Sequence, residues 1–151
     1  MGNQAFVANS VCNYEDVQRA ISRAANTHAL TFLINTLPSE EQSCLIKETM
    51  IHTEEESIIN SCISKKLTGE ITIIVYGRNA ADVTVHTKYK QLRSLGFERV
   101  YVYLGGMFEW LLLQDVYDGG CGGSGSDGGE LFPTTMRELD ILKYRSAKLN
   151  V

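Results

Sequence analysis

The strongest nucleophiles in the chain are four cysteines, Cys12, Cys44, Cys62 and Cys121. A cysteine attacks as its thiolate, a form favoured at a helix N-terminus or beside positive charge. Cys44 and Cys62 fall on apolar faces and read as small buried hydrophobes. Cys121, in a glycine tract, reads as an exposed thiol that could relay sulfur or oxidise, though the tract offers no thiolate-stabilising setting, and Cys12 is expected to be similar. His28, His52 and His86 are far apart, no Cys-x-x-Cys occurs and no helix carries two ligands at i and i+4, so no metal site is expected. A Gly-x-Ser-x-Gly elbow for Ser–His–Asp catalysis is also missing.

What remains is the polar stretch Gly77-Arg78-Asn79-Ala80-Ala81-Asp82, set between a β-branched run and a helix. Backbone N–H groups in such a loop, together with the positive end of the following helix, suit an anion. Arg78 suits an anionic substrate at the mouth, or an ordinary surface ion pair. Asp82 suits the orientation of a loop amide, or the N-cap of the next helix. His86, in that helix's first turn, suits a proton donor or a structural role.

The flanking elements alternate. Asn13 and Asp16 form a capping box ahead of Val17, Ile21 and Ala24, a helix ending near Asn26–His28. Leu30–Ile34 reads as a buried strand stopped by Asn35-Thr36-Leu37-Pro38. Ser39–Glu48 is a short helix or loop, and Glu54–Leu67 carries a helical apolar stripe. Ile71–Tyr76 has the continuous β-branched composition of a strand covered on both faces. A helix over Val83–Leu95 ends on Gly96 as a left-handed C-cap residue, Arg99–Leu104 is a strand, and Met107–Val116 is a packed helix after Gly105-Gly106. This pattern predicts an α/β domain with a mainly parallel sheet, helices on both faces, and a ligand crevice at the carboxyl ends of the strands.

The 151 residues are 44% hydrophobic and 21% charged, a profile expected of one globular core. Fourteen basic against eighteen acidic residues, with no basic run, argue against nucleic acid. No apolar stretch approaches the ~20 residues of a membrane span. The N-terminus shows neither a secretory signal nor, with Phe6 where Ser or Thr is required, a myristoylation pattern, so reduced thiols in the cytoplasm are expected. The predicted organisation is a flexible arm at 1–12, a domain at 13–117, a Gly-rich flexible loop at 118–130 and a C-terminal helical extension at 131–151 that packs on the domain. The loop holds seven of the thirteen glycines and lacks the Gly-Lys-Ser/Thr of a phosphate loop. In the extension, Thr135 and Glu138 form a capping box, and Leu139, Leu142 and Leu149 form the docking face.

Three features give the segment a family resemblance. The helix ends Leu92-Arg93-Ser94-Leu95-Gly96-Phe97; the next strand leads into Gly105-Gly106 with Trp110 one turn later; and Leu33–Pro38 sits where a strand would end in an acidic residue and a turn, with Cys44–Met50 in the place of a second loop. From about Asn13 to Tyr117, and most densely from Tyr76 to Trp110, the chain resembles a rhodanese-like domain, the fold of single-domain sulfurtransferases and some dual-specificity phosphatases. Asn35 and Thr36 depart from the family's acidic and basic residues there.

The resemblance implies transfer of sulfane sulfur through a cysteine persulfide in the loop after the central strand, with no cofactor, and with a small sulfur donor, a thiol acceptor or a protein acceptor as partner. The family spacing, counted back sixteen or seventeen residues from Gly96, lands on Ala80 or Asn79, and Ala80 takes the nucleophile's place. With Ala80 in that place, the resemblance makes Asn79, Ala81, Asp82, Val83, Thr84 and Val85 the anion-binding loop and its rim. Alanine cannot carry a persulfide. Two explanations stand: a natural non-catalytic member that keeps the loop for recognition of an anion or a protein, or a chain in which the cysteine has been exchanged. A phosphatase would need an Arg at the far end of the loop, and Arg78 is on the near side.

Overall fold

The computed structural model describes residues 10–27 and 30–117. The expected glycine loop, the C-terminal helix and most of the arm lie outside them. The fold is α/β. Strand β1 (Val11–Cys12) leads to helix α1 (Tyr14–Thr27), β2 (Thr31–Asn35), a 3-10 turn at Ser39–Glu41, α2 (His52–Ser64), β3 (Thr72–Tyr76), α3 (Thr84–Ser94), β4 (Arg99–Tyr103) and α4 (Gly106–Tyr117). Every strand pair is parallel, and the sheet order is β1-β4-β3-β2. Ile74 of β3 lies between Leu33 of β2 and Tyr101 of β4.

Alternation along β3 assigns the two faces of the sheet. Ile74 and Tyr76 join a cluster with Tyr14, Val17 and Ala20 of α1 and Met107 and Trp110 of α4. Ile73 and Val75 join the opposite cluster, with Ile59 and Cys62 of α2 and Val85 and Leu92 of α3. All five β3 residues are buried, which is why its sequence runs apolar without alternation. Each fully buried Ile or Val contributes about 1.5–3 kcal/mol relative to exposure.

Local signals place the helix ends. Asn13 Oδ1 accepts the Asp16 amide hydrogen at 2.9 Å while Asp16 Oδ2 accepts that of Asn13 at 3.1 Å, the expected reciprocal cap. At the end of α3, Gly96 has φ +98°, its N–H donates to the Arg93 carbonyl and the Phe97 N–H to that of Leu92, a Schellman motif.

Residues 11 and 12 depart from the expected loose arm. Val11 and Cys12 pair in parallel with Val102 and Tyr103, covering what would be the open edge of β4. Two residues are too few to show a period, and the pairing is dictated by that edge. On the outer edge of β2 a single bridge joins Leu33 to Thr49, and the Met50 N–H donates to the Leu33 carbonyl at 2.8 Å.

Candidate functional site

The buried strand β3 delivers the chain to Gly77, at the carboxyl end of the sheet. A side chain here would put its Cβ 2.5 Å from Asp82 Oδ2 and 2.9 Å from the Thr36 hydroxyl, so any larger residue would displace the Asp82 carboxylate from its bonds. From Gly77 the loop folds around Asp82. Asp82 Oδ2 accepts the Arg78 amide hydrogen at 2.9 Å and Oδ1 that of Thr84 at 3.0 Å. Asn79 Oδ1 accepts the Ala81 N–H at 3.0 Å, and the Asn79 carbonyl accepts the Asp82 N–H at 3.1 Å. The Thr84 hydroxyl bridges Asp82 Oδ1 at 2.5 Å and the Thr36 hydroxyl at 2.7 Å.

The amides of Arg78, Ala81, Asp82 and Thr84 are therefore bonded within the expected anion loop itself. Partial burial alone would raise the Asp82 pKa, but the bonds from the Arg78 amide and the Thr84 hydroxyl and amide outweigh it and hold the carboxyl below its ordinary value. Helix α3 begins at Thr84, one residue later than expected; Val83 makes no side-chain cap, and Asp82 bonds Thr84 from just outside. Ala80 and Ala81 are exposed at the tip, Asn79 is half-buried, and Val83 points 72% of its surface to solvent. Val85 is a buried member of the core, and His86 is half-buried in the first turn of α3.

Arg78 leaves the loop mouth sideways. Its Nε donates to Glu41 Oε2 at 2.8 Å and its second guanidinium nitrogen bonds Glu41 Oε1, tying the loop to the 3-10 turn. The Glu41 bond also raises the Arg78 pKa. Both partners are exposed, so the pair orients the loop more than it stabilises the fold.

Gly105 and Gly106 close the other side. The Gly77 and Arg78 carbonyls accept the first-turn amide hydrogens of Met107 and Phe108, each at 3.0 Å. A Cβ on Gly106 (φ +60°) would lie 2.4 Å from the Gly77 carbonyl oxygen. The Gly-Gly signal thus has a mechanical basis: two loop carbonyls cap α4, and only glycine permits the approach. Trp110 anchors the helix in the core, its ring 4.7 Å from that of Tyr14 and edge-on to Tyr103 at 6.3 Å.

A cleft of 310 Å³ opens beside the loop, lined by Asn35, Thr36, Leu37, His52, Thr84, Thr87, Lys88 and Gln91. A second, of 420 Å³ between α2 and α3, shares His52, Lys88 and Gln91 with it. Lys88 Nζ donates to Glu55 Oε1 at 2.5 Å, and His52 Nδ1 lies 3.9 Å from the other Glu55 oxygen. The sequence does not announce this cleft, because its walls come from α2 and α3, far apart in the chain and unmarked by any motif.

Cys12 corrects the expectation of an exposed thiol. It is buried at the end of β1, directly before α1. Burial, then the charges of Asp16 and Glu109, push its thiol well above the ordinary value despite the neighbouring helix N-terminus. Burial also raises Cys62, while Cys44 is half-buried. Among the described residues no group of three His, Cys, Asp or Glu side chains is placed to hold a metal, and no helix is long and apolar enough to cross a membrane. No protein-family model matches the chain, and no curated protein matches it.

Proposed function

We propose that the chain is a rhodanese-like module in which Ala80 occupies the place of the sulfur-carrying cysteine, inactive in sulfur transfer as it stands. The observation that carries this reading is the position of Ala80: an exposed methyl at the tip of the loop between the buried strand β3 and helix α3, backed by Gly105-Gly106. A sulfur atom there would face solvent, and the cleft-side hydroxyls of Thr36 and Thr84 would lie in the same loop region. The free thiols Cys12, Cys44 and Cys62 support a reducing compartment such as the cytoplasm.

The chemistry is tested by Ala80→Cys. Its thiolate would attack the sulfane sulfur of thiosulfate, release sulfite and hold a persulfide; cyanide would then take the terminal sulfur as thiocyanate and regenerate the thiolate. The expected outcome is thiocyanate formation and, by mass spectrometry, an adduct of a single sulfur atom on the peptide that contains the substituted position. Absence of both products from a folded variant would overturn the sulfurtransferase ancestry.

One observation favours a second reading. The Asp82 carboxylate occupies the Arg78 and Thr84 amides, so the loop is filled by its own anion. This supports a module that recognises a protein or an anion at the loop rim without catalysis. A folded Ala80→Cys variant that forms no persulfide would favour it.

A further inference from the structure

Helix α4 buries one side and leaves the other open. Met107, Trp110 and Gln114 are buried against the sheet, whereas Phe108, Leu111 and Leu112 are 65%, 38% and 53% exposed. These three stand at i, i+3 and i+4, so they form one continuous apolar strip. A helix face lined by large apolar side chains is ordinarily a covered one. We infer that the strip is the docking surface for the chain's own residues 131–151, with Leu139, Leu142 and Leu149 as the complementary face.

Three properties of the sequence argue for this occupant. Thirty-four residues follow Tyr117, the last residue of α4, and the first thirteen of them are the glycine-rich 118–130. A Gly-rich sequence of that length, taken as a random coil, spans roughly 20 Å, against about 18 Å for a helix of α4's length, which is reach enough for the next segment to lie back along α4. Leu139, Leu142 and Leu149 recur at helical spacing behind the Thr135–Glu138 capping box. Charge is complementary as well. Residues 131–151 hold four basic and two acidic residues, whereas residues 1–130 hold ten basic and sixteen acidic, and α4 itself carries Glu109 and Asp115 with no basic residue. The strip begins at Phe108, whose amide hydrogen is held by the Arg78 carbonyl, so the docked segment would start at the rim of the Ala80 loop.

Methyl-labelled full-length protein provides the test. Intramolecular nuclear Overhauser contacts are expected from the Leu139 and Leu142 methyls to the Leu111 and Leu112 methyls and the Phe108 ring. Leu112→Asp, at an exposed position, should abolish those contacts and move the Leu139 and Leu142 signals toward random-coil shifts while Ile73, Ile74 and Val75 stay in place. Contacts seen only between differently labelled copies would make the strip a dimer surface and overturn the proposal. Contacts from residues 1–9 instead, or Leu139 and Leu142 signals unmoved by Leu112→Asp, would overturn it too.

Discussion

The carboxylate of Asp82 takes the amide hydrogen of Arg78 at 2.9 Å, four residues back along the loop, and so closes the turn that carries Ala80. The same carboxylate holds the first amide of α3 at 3.0 Å. One side chain therefore sets both the loop's curvature and the helix start. Replacing it with alanine should cost about 0.5–2 kcal/mol, the range for a lost helix cap, measured by urea unfolding.

The pH dependence of that contribution has a defined sign. Because the folded state holds the Asp82 carboxyl below its ordinary value, its stabilisation is present above the unfolded pKa of about 3.9 and is lost as pH falls further. The stability gap between the wild-type protein and Asp82→Asn should therefore narrow between about pH 5 and pH 3. A gap that widened over that interval would contradict the assigned bonds.

Lys66 carries a backbone conformation suited to glycine. Helix α2 ends in the same Schellman geometry as α3, with the Lys66 N–H on the Ile63 carbonyl and the Leu67 N–H on that of Cys62, but Lys66 takes the left-handed position at φ +58°. A side chain there costs roughly 1 kcal/mol. Lys66→Gly should raise the unfolding free energy by about that amount, read as a higher urea midpoint with an unchanged m-value. Gly96→Ala, where the added methyl meets nothing within 4 Å, should lose about 1 kcal/mol through φ alone.

Those two helix ends show what is legible in the sequence. Gly96 announces its turn, and the expected end of α3 falls within a residue of the observed one. Lys66 announces nothing, so the apolar stripe carries the expected helix on to Leu67 instead of stopping at Ser64. The alternation of strands and helices follows from side-chain periodicity and is readable, as is the Asn13–Asp16 cap. Pairing that depends on a distant edge is not: Val11 and Cys12 become a strand because β4 lies beside them. Composition locates the loop Gly77–Val83, yet the Arg78–Glu41 bridge and the Thr84–Thr36 hydroxyl contact depend on where residues 36–41 return in space.

Gly106 is the most sensitive glycine of the site. An added Cβ would press on the Gly77 carbonyl oxygen at 2.4 Å, and on an unfavourable φ of +60° as well. The carbonyl is fixed by its bond to the Met107 amide, so neither side can yield. Gly106→Ala should destabilise by about 2–4 kcal/mol, several times the effect of Gly96→Ala, in the same unfolding measurement.

Tyr76 links the central strand to the loop that precedes α2. Its hydroxyl oxygen accepts the Ile46 N–H at 3.2 Å and lies 2.6 Å from the Thr49 hydroxyl. Burial pushes the phenol up to about 12, against the bonds from Thr49 and Ile46 that favour its ionised form. The fold thus holds the proton more tightly than the unfolded chain, whose tyrosine titrates near about 10. Stability is complete below that value and falls as pH rises from about 10 toward 12, by about 2–3 kcal/mol for two pKa units. Tyr103, raised by burial and then by the charge of Glu109, adds to the same alkaline loss. Tyr76→Phe should be less stable at neutral pH by about 1–2 kcal/mol, since the Ile46 amide loses its buried acceptor. Its unfolding free energy should then decline less steeply than the wild type's over that alkaline interval, with the residual slope due to Tyr103. Equal slopes in the two proteins would assign the alkaline transition to groups other than Tyr76.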